Sequence, residues 1–261
     1  MSTNSRATEF RALHEGEPFV IPNPWDAGSA RMLEALGFKA LATTSSGFAF
    51  TLGRADGDVT LDEVIEHTRL LASAVEIPVA IDLENGYGAD PADAARAVTG
   101  AAEAGAAGGS IEDWDRKEGH IYCLEHAVAR IAAAAEAARP SGFVLAARAE
   151  NHIRDNPDIG DTITRLKAYE AAGADVLYAP GLRDMDELRK VCDAVSKPVN
   201  MLAFPGMTMT EIAAAGAQRV SVGGQLTWVA MAAAGEAALK LRDEGDFSAL
   251  KAQLQGTEWL R

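Results

Sequence analysis

Residues 80–89 read AIDLENGYGA: an apolar run delivers two carboxylates, Asp82 and Glu84, and then breaks on glycines. Two further runs end in the same way. GGSIED (108–113) closes on Glu112 and Asp113, and FVLAARAEN (143–151) closes on Arg148, Glu150 and Asn151. Carboxylates gathered where buried strands surface repel one another unless something neutralises them, and a hard divalent cation does so with oxygen ligands alone. The chemistry to expect is therefore a Mg2+ or Mn2+ site. Asp82 and Glu84, at period-two spacing, would point into it together, and Glu112 would join from the neighbouring strand. Any one of these acids can equally cap a helix or pair with a rim cation. Three together, with no His or Cys competing, favour the metal.

The elements that must position these residues show in a recurring phrase. EALGFKALATT (34–44), EAGAAGGSIED (103–113), EAAGADVLYAP (170–180) and AAAGAQRVSVG (213–223) each end a helix on alanines, turn at a glycine and enter a short buried strand. Four more strands fall between them, at 19–22, 77–83, 143–149 and 198–203. Eight short strands alternating with helices over 261 residues predict a closed (β/α)8 TIM barrel, one domain spanning 1–261 with a C-terminal helical segment at about 229–261. An open α/β sheet of six or seven strands is the alternative. In a barrel the active site lies at the C-terminal strand ends. Those ends carry Ser46 and Gly47, Asp82 and Glu84, Glu112, Arg148, Asn200 and Ser221.

Composition narrows the partners. A net charge of −14 argues against nucleic acid and anionic membranes. No stretch approaches the roughly 20 apolar residues of a membrane span. Cys123 and Cys192 lack metal-ligand spacing, and no signal-like segment opens the chain, so a reducing cytoplasm is expected. The charge says little about a small-molecule substrate, since a local site can be positive on an acidic protein.

The stretch NPWDAGSARMLEALGFKALATTSSG, the D-x-E-N-G-Y-G turn, the IED triplet and the AAR strand resemble the isocitrate lyase/phosphoenolpyruvate mutase superfamily, from about residue 10 to about residue 230. The resemblance implies a Mg2+-dependent (β/α)8 lyase that cleaves a C–C bond of a 2-oxo acid or substituted malate through the enolate of a pyruvate-like product. Asp82, Glu84 and Glu112 would form the metal shell, with Asp56, in GRADGD, near the substrate and the metal's waters. Ser46, Gly47 and the amides up to Phe48 would hold the substrate carboxylate, and Arg148 would contact the oxo or enolate oxygen, with Asn200 and Ser221 along the pocket. The resemblance also implies homo-oligomers, dimer or tetramer, in which a C-terminal helix is exchanged between subunits.

The chain departs from that pattern at DWDRKEGHIYCLEH (113–126). Isocitrate and methylisocitrate lyases of this superfamily carry Lys-Cys-Gly-His here, with the cysteine as the acid. This chain has Lys117, Glu118, Gly119 and His120. Glu118 would serve as general acid if loop closure desolvated it, and His120 would contact Glu118 or a substrate carboxylate; a solvated glutamate and a surface histidine are the plainer alternatives. Cys123 is expected to pack within a helix, and Asp26 of NPWD to cap one. Phosphoenolpyruvate mutase or phosphonopyruvate hydrolase chemistry, a non-catalytic 2-oxo acid binding protein and a metal-independent sugar-phosphate barrel stay open.

Overall fold

The structure, a computed structural model, describes residues 5–251 and 255–257. Eight parallel strands, β1 (Phe19–Ile21), β2 (Leu41–Ala42), β3 (Val79–Asp82), β4 (Gly108–Glu112), β7 (Val144–Arg148), β8 (Val176–Tyr178), β9 (Val199–Leu202) and β10 (Arg219–Ser221), form one sheet in the order β1-β10-β9-β8-β7-β4-β3-β2. Its two ends meet through the Ala42 N–H, which donates to Pro22 O at 3.1 Å. The sheet is thereby a nearly closed barrel with helices around it, and the open-sheet alternative falls. A hairpin of β5 (Trp114–Asp115) and β6 (His120–Ile121) stands on the loop after β4.

Local chemistry explains the regularity. Gly37, Gly105, Gly173 and Gly216, the glycines of the four repeated phrases, all sit at φ between +92° and +105°, where an L side chain is strained and the helix C-terminus can turn into the next strand. Helix starts are capped from the side chain. Asp26 accepts from Ser29 N at 2.6 Å as expected, and Thr60 with Glu63 and Thr208 with Glu211 form capping boxes.

The barrel interior is unevenly filled, and this makes room for a site. The N-terminal helix Ser5–Leu13 plugs the bottom with fully buried Phe10, which packs on Ala80, Ala107 and Ala146 and contributes about 1.5–3 kcal/mol. A Cβ on Gly108 would come within 2.7 Å of that ring, so the β4 glycine admits the plug. Above it, small interior residues such as Ala42 and Ala80 leave a cavity open toward the strand C-termini. Outside the barrel, Ala94, Ala97 and Ala101 of helix Pro91–Glu103 lie buried beside Ala127 and Ala134 of helix Leu124–Ala138, the close approach their small side chains permit.

One expectation needs correction. Cys123 does not pack within a helix: it is exposed, at the residue before Leu124–Ala138, because the chain is still leaving the hairpin there. Of the C-terminal helical segment expected at about 229–261, the described residues hold the helix Gln225–Glu244, which ends where Gly245 turns left-handed, and a 3-10 turn at Ser248–Lys251; residues 252–254 and 258–261 lie outside the described residues. Among the described residues no helix is long and apolar enough to cross a membrane.

Candidate active site

Three adjacent strands end together on the site. β3 stops at Asp82, β4 at Glu112 and β7 at Arg148, with Glu112 and Arg148 in register and Asp82 beside Ser110. Arg148 holds the group together: Nη1 lies 3.0 Å from Asp82 Oδ1, Nη2 2.9 Å from Glu112 Oε2, and Nε 3.0 Å from Glu150 Oε1. Burial opposes the guanidinium charge, but Glu150, Glu112 and Asp82 outweigh it and hold Arg148 protonated. Arg154 adds a second cation, 3.6 Å from Glu150 and 3.9 Å from Glu112, with its guanidinium over the Trp114 ring. Even so, burial, with repulsion from Glu150, pushes the Glu112 carboxyl well above its usual range. The next residue, Asp113, points the other way. It accepts from Glu150 N, Tyr169 Oη and Arg165 Nη1 at 2.9, 2.6 and 3.2 Å, tying the strand ends to a helix behind them.

Glu84 does not continue the alternation of β3. The strand ends at Asp82, and Glu84 takes φ +46° with its amide donating to Asp82 Oδ1 at 3.2 Å. Its carboxylate therefore faces a neighbouring cavity of about 550 Å3. There Arg116 of the hairpin reaches it, Nε 3.1 Å from Glu84 Oε2, with Nη2 3.5 Å from Asp56 Oδ2 and Nη1 donating to Asp56 O at 3.0 Å. Gly57 leaves space for that guanidinium, since a Cβ would lie 2.1 Å from Arg116 Nε. Burial, then repulsion from Asp82, pushes Glu84 up to about 7, and its Oε1 is buried without a hydrogen-bond partner.

The charges do not balance. With every group ionised, five carboxylates (Asp56, Asp82, Glu84, Glu112, Glu150) would face three guanidiniums (Arg116, Arg148, Arg154), a formal excess of two negative charges that raises Glu84 and Glu112 further. As they lie, the arginines stand between the acids, and no three His, Cys, Asp or Glu side chains among the described residues converge on one point. An all-oxygen donor set, an orphaned buried carboxylate oxygen and an excess of two negative charges nonetheless fit a hard divalent cation in charge and ligand type.

Beside this cluster lies a cavity of about 180 Å3, walled by Ser45, Ser46, Asp82 and Arg148 and floored by Asn200, Ser221 and Arg219. Thr44 caps helix Ser45–Thr51 directly after β2, so Ser45 and Ser46 face the mouth. Ser45 N lies 3.4 Å from Asp82 Oδ2, and the Ser46 hydroxyl is 3.1 Å from that of Thr44. Gly47 and Phe48 are not on the wall. The Gly47 amide donates to Thr44 Oγ1 at 3.3 Å and the Phe48 amide to Thr44 O at 3.0 Å, while the Phe48 ring stacks on His67. Glycine at 47 is required by packing, since a Cβ would meet Thr44 and Thr227 at 2.6 and 2.7 Å.

Glu118 and His120 stand apart from the Arg148 cluster. Asp115 Oδ1 accepts the amides of Lys117 and Glu118, both at 3.0 Å, and Gly119 N donates to Asp115 O at 2.8 Å, so the hairpin tip is well formed. The Glu118 side chain, on the rim of the larger cavity, is 62 % exposed, and His120 is exposed with its ring edge-on to Tyr122. Sequence reasoning missed Arg116, Arg154 and Arg219. Only Arg219 carried a signal, a lone cation inside the apolar strand phrase QRVSV.

Comparison with known proteins gives consistent matches. The sequence profile of the phosphoenolpyruvate phosphomutase family matches residues 10–242. The 2-methylisocitrate lyase of Escherichia coli is 32% identical over 209 residues, 76% of this chain and 70% of that protein. A solved Burkholderia cenocepacia structure, named only as a lyase/mutase, superposes with TM-score 0.93 at 47% identity, covering 98% of this chain and 94% of the other. A structure of oxaloacetate acetylhydrolase with its product oxalate superposes with TM-score 0.86 at 28% identity, covering 95% and 90%.

Proposed function

The chain belongs to the isocitrate lyase/phosphoenolpyruvate mutase superfamily, whose members are C–C lyases and mutases, and from that premise we propose that it is a Mg2+-dependent lyase acting on oxaloacetate or a substituted malate through the enolate of a pyruvate-like product. The observation that carries this reading is Arg148, buried at the mouth of the small cavity with Asp82, Glu112 and Glu150 around it.

Asp82, Glu84 and Glu112 would hold the cation, with Asp56 beside it. When bound, the cation supplies Lewis-acid stabilisation of negative charge at a 2-oxo oxygen. The remaining chemistry belongs to the chain. Arg148 keeps its proton throughout and offers a fixed fork of donors to the oxygen on which charge develops. Ser46, with Asn200 and Ser221 across the cavity, orients the carboxylate end. A cavity of about 180 Å3 suits a ligand of a few heavy atoms.

The exposure of Glu118 bears on which substrate the site takes. Methylisocitrate cleavage calls for an acid delivered by the hairpin, whereas the enolate left by a smaller 2-oxo acid can take its proton from water, so oxaloacetate is the leading substrate. Release of pyruvate or another 2-oxo acid from a panel of oxaloacetate, substituted malates, methylisocitrate and phosphonopyruvate, with Mg2+ and with excess chelator, tests the reading. Full activity in chelator, or no turnover of any member, overturns it.

The protein would work as a homo-oligomer in a reducing cytoplasm. Trp228, Val229 and Leu239 of helix Gln225–Glu244 are 42, 65 and 52 % exposed, an apolar face suited to a second copy. Light scattering showing only monomer at micromolar concentration would remove that part of the proposal.

A further inference from the structure

Arg148 faces three carboxylates, but a second arginine of the same cavity has none. Arg219, the first residue of β10, is 6 % exposed and lies on the cavity floor. No carboxylate among the described residues acts on it; burial pulls it down to about 10, with only the Tyr178 phenol opposing. A buried cation without an anion is costly to keep. Its hydrogen bonds give a reason.

Nε of Arg219 donates to Asn200 Oδ1 at 2.7 Å, and Nη1 lies 3.3 Å from His14 Nε2. A guanidinium only donates, so the Asn200 amide must turn its carbonyl toward Arg219. Its Nδ2 is then left to donate to Ser221 Oγ at 3.0 Å. The Ser221 hydroxyl holds that bond on one lone pair and keeps its own proton to donate, and it lines the cavity beside Tyr178. Beneath, His14 Nδ1 is 2.8 Å from the Phe10 carbonyl and carries the ring proton, which leaves Nε2 to accept from Arg219. The donors from Arg219 through Asn200 to Ser221 therefore run one way, out of the plugged barrel bottom and into the cavity.

Resting on the reading of this cavity as a 2-oxo acid site, we infer that Arg219 is a positioning residue that acts through Asn200, polarising its amide and holding the Ser221 hydroxyl with its proton free for a ligand carboxylate. Val220, the intervening residue of β10, faces the outer core, so Arg219 and Ser221 share the interior face by strand alternation alone.

The test combines calorimetry of oxalate binding in the presence of Mg2+ with steady-state kinetics on the substrate that the panel identifies. The proteins compared are wild type, Arg219→Met, Asn200→Ala and the double variant. Arg219→Met is expected to weaken oxalate binding about tenfold and raise KM similarly, with kcat within about threefold. Arg219→Lys should recover at least half of the loss on a logarithmic scale. In the Asn200→Ala background, Arg219→Met should cost less than about threefold more, because its route through the amide is already gone. Equal losses in both backgrounds, undiminished oxalate binding in Arg219→Met, or a loss confined to kcat overturns the inference. If circular dichroism shows that Arg219→Met does not fold, Arg219→Gln takes its place in the same cycle with the same expectations. A wild type that turns over a 2-oxo acid but shows no Arg219 effect defeats this role alone. A wild type that binds no oxalate with Mg2+ defeats the proposed function and the role together.

Discussion

Arg116 Nε and Glu84 Oε2 meet at 3.1 Å across the seam between the hairpin and the barrel, so a cation of the loop sits on an acid proposed for the metal shell. The Arg116 side chain is 37 % exposed, and its stabilising contribution is modest, below about 1 kcal/mol after solvent screening. Its larger effect is on charge. Arg116→Gln should tighten Mg2+ binding several-fold in calorimetry, because a competing positive charge is removed. Unchanged or weaker Mg2+ binding would separate Glu84 from the metal shell.

Arg148 neutralises three buried carboxylates at once, and Arg148→Gln leaves Asp82, Glu112 and Glu150 without that partner. The expected loss is about 3–5 kcal/mol of stability, read by urea unfolding, together with a fall in turnover of at least about a hundredfold. A variant with wild-type turnover would remove Arg148 from the reaction.

Oxalate has two adjacent oxygens at each end of a planar frame and imitates the enolate expected here. With Mg2+ present and oxalate at about a hundred times its Kd, the protein should gain about 2.7 kcal/mol, visible as a raised melting temperature. Asp82→Asn should abolish that gain. Protection by oxalate that survives both chelator and Asp82→Asn would place the ligand elsewhere.

Glu118→Gln should change the turnover rate less than about threefold, the scatter of a surface substitution, and leave the pH profile in place, since the side chain is 62 % exposed. A loss of about 10²–10⁴ with a shifted alkaline limb would instead show that the hairpin closes and delivers Glu118 as the acid.

His67 is buried under the Phe48 ring, 3.9 Å between centroids, and burial pulls it down from 6.5 to about 4. Between those values the unfolded chain binds a proton that the native state refuses, so the stability tied to neutral His67 is complete above pH 6.5 and declines as pH falls toward 4. The raised Glu84 and Asp113 carboxyls act in the opposite sense over an overlapping range, so wild type alone does not isolate the histidine. The comparison is with His67→Phe, whose stability relative to wild type should improve by roughly 1 kcal/mol between pH 7.5 and 5.5. A constant difference across that range would contradict a neutral buried His67.

The sequence by itself determined the barrel and the ends of its strands. The helix-alanine-glycine-strand phrase is local chemistry, so Gly37, Gly105, Gly173 and Gly216 could be read as left-handed turns, and Asp82, Glu112 and Arg148 as neighbours at one rim. What tertiary structure decided is everything that needs a long-range distance or a backbone angle. Period-two spacing put Glu84 beside Asp82, but φ +46° turned it into a different cavity, where Arg116, 32 residues away, meets it. Gly47 and Phe48 were expected at the ligand, yet helix capping by Thr44 uses both amides. Arg219 shows the limit most plainly. Its type was visible in the strand, but its partners Asn200 and His14 lie 19 and 205 residues away, and only closure of the barrel over the N-terminal plug brings them together.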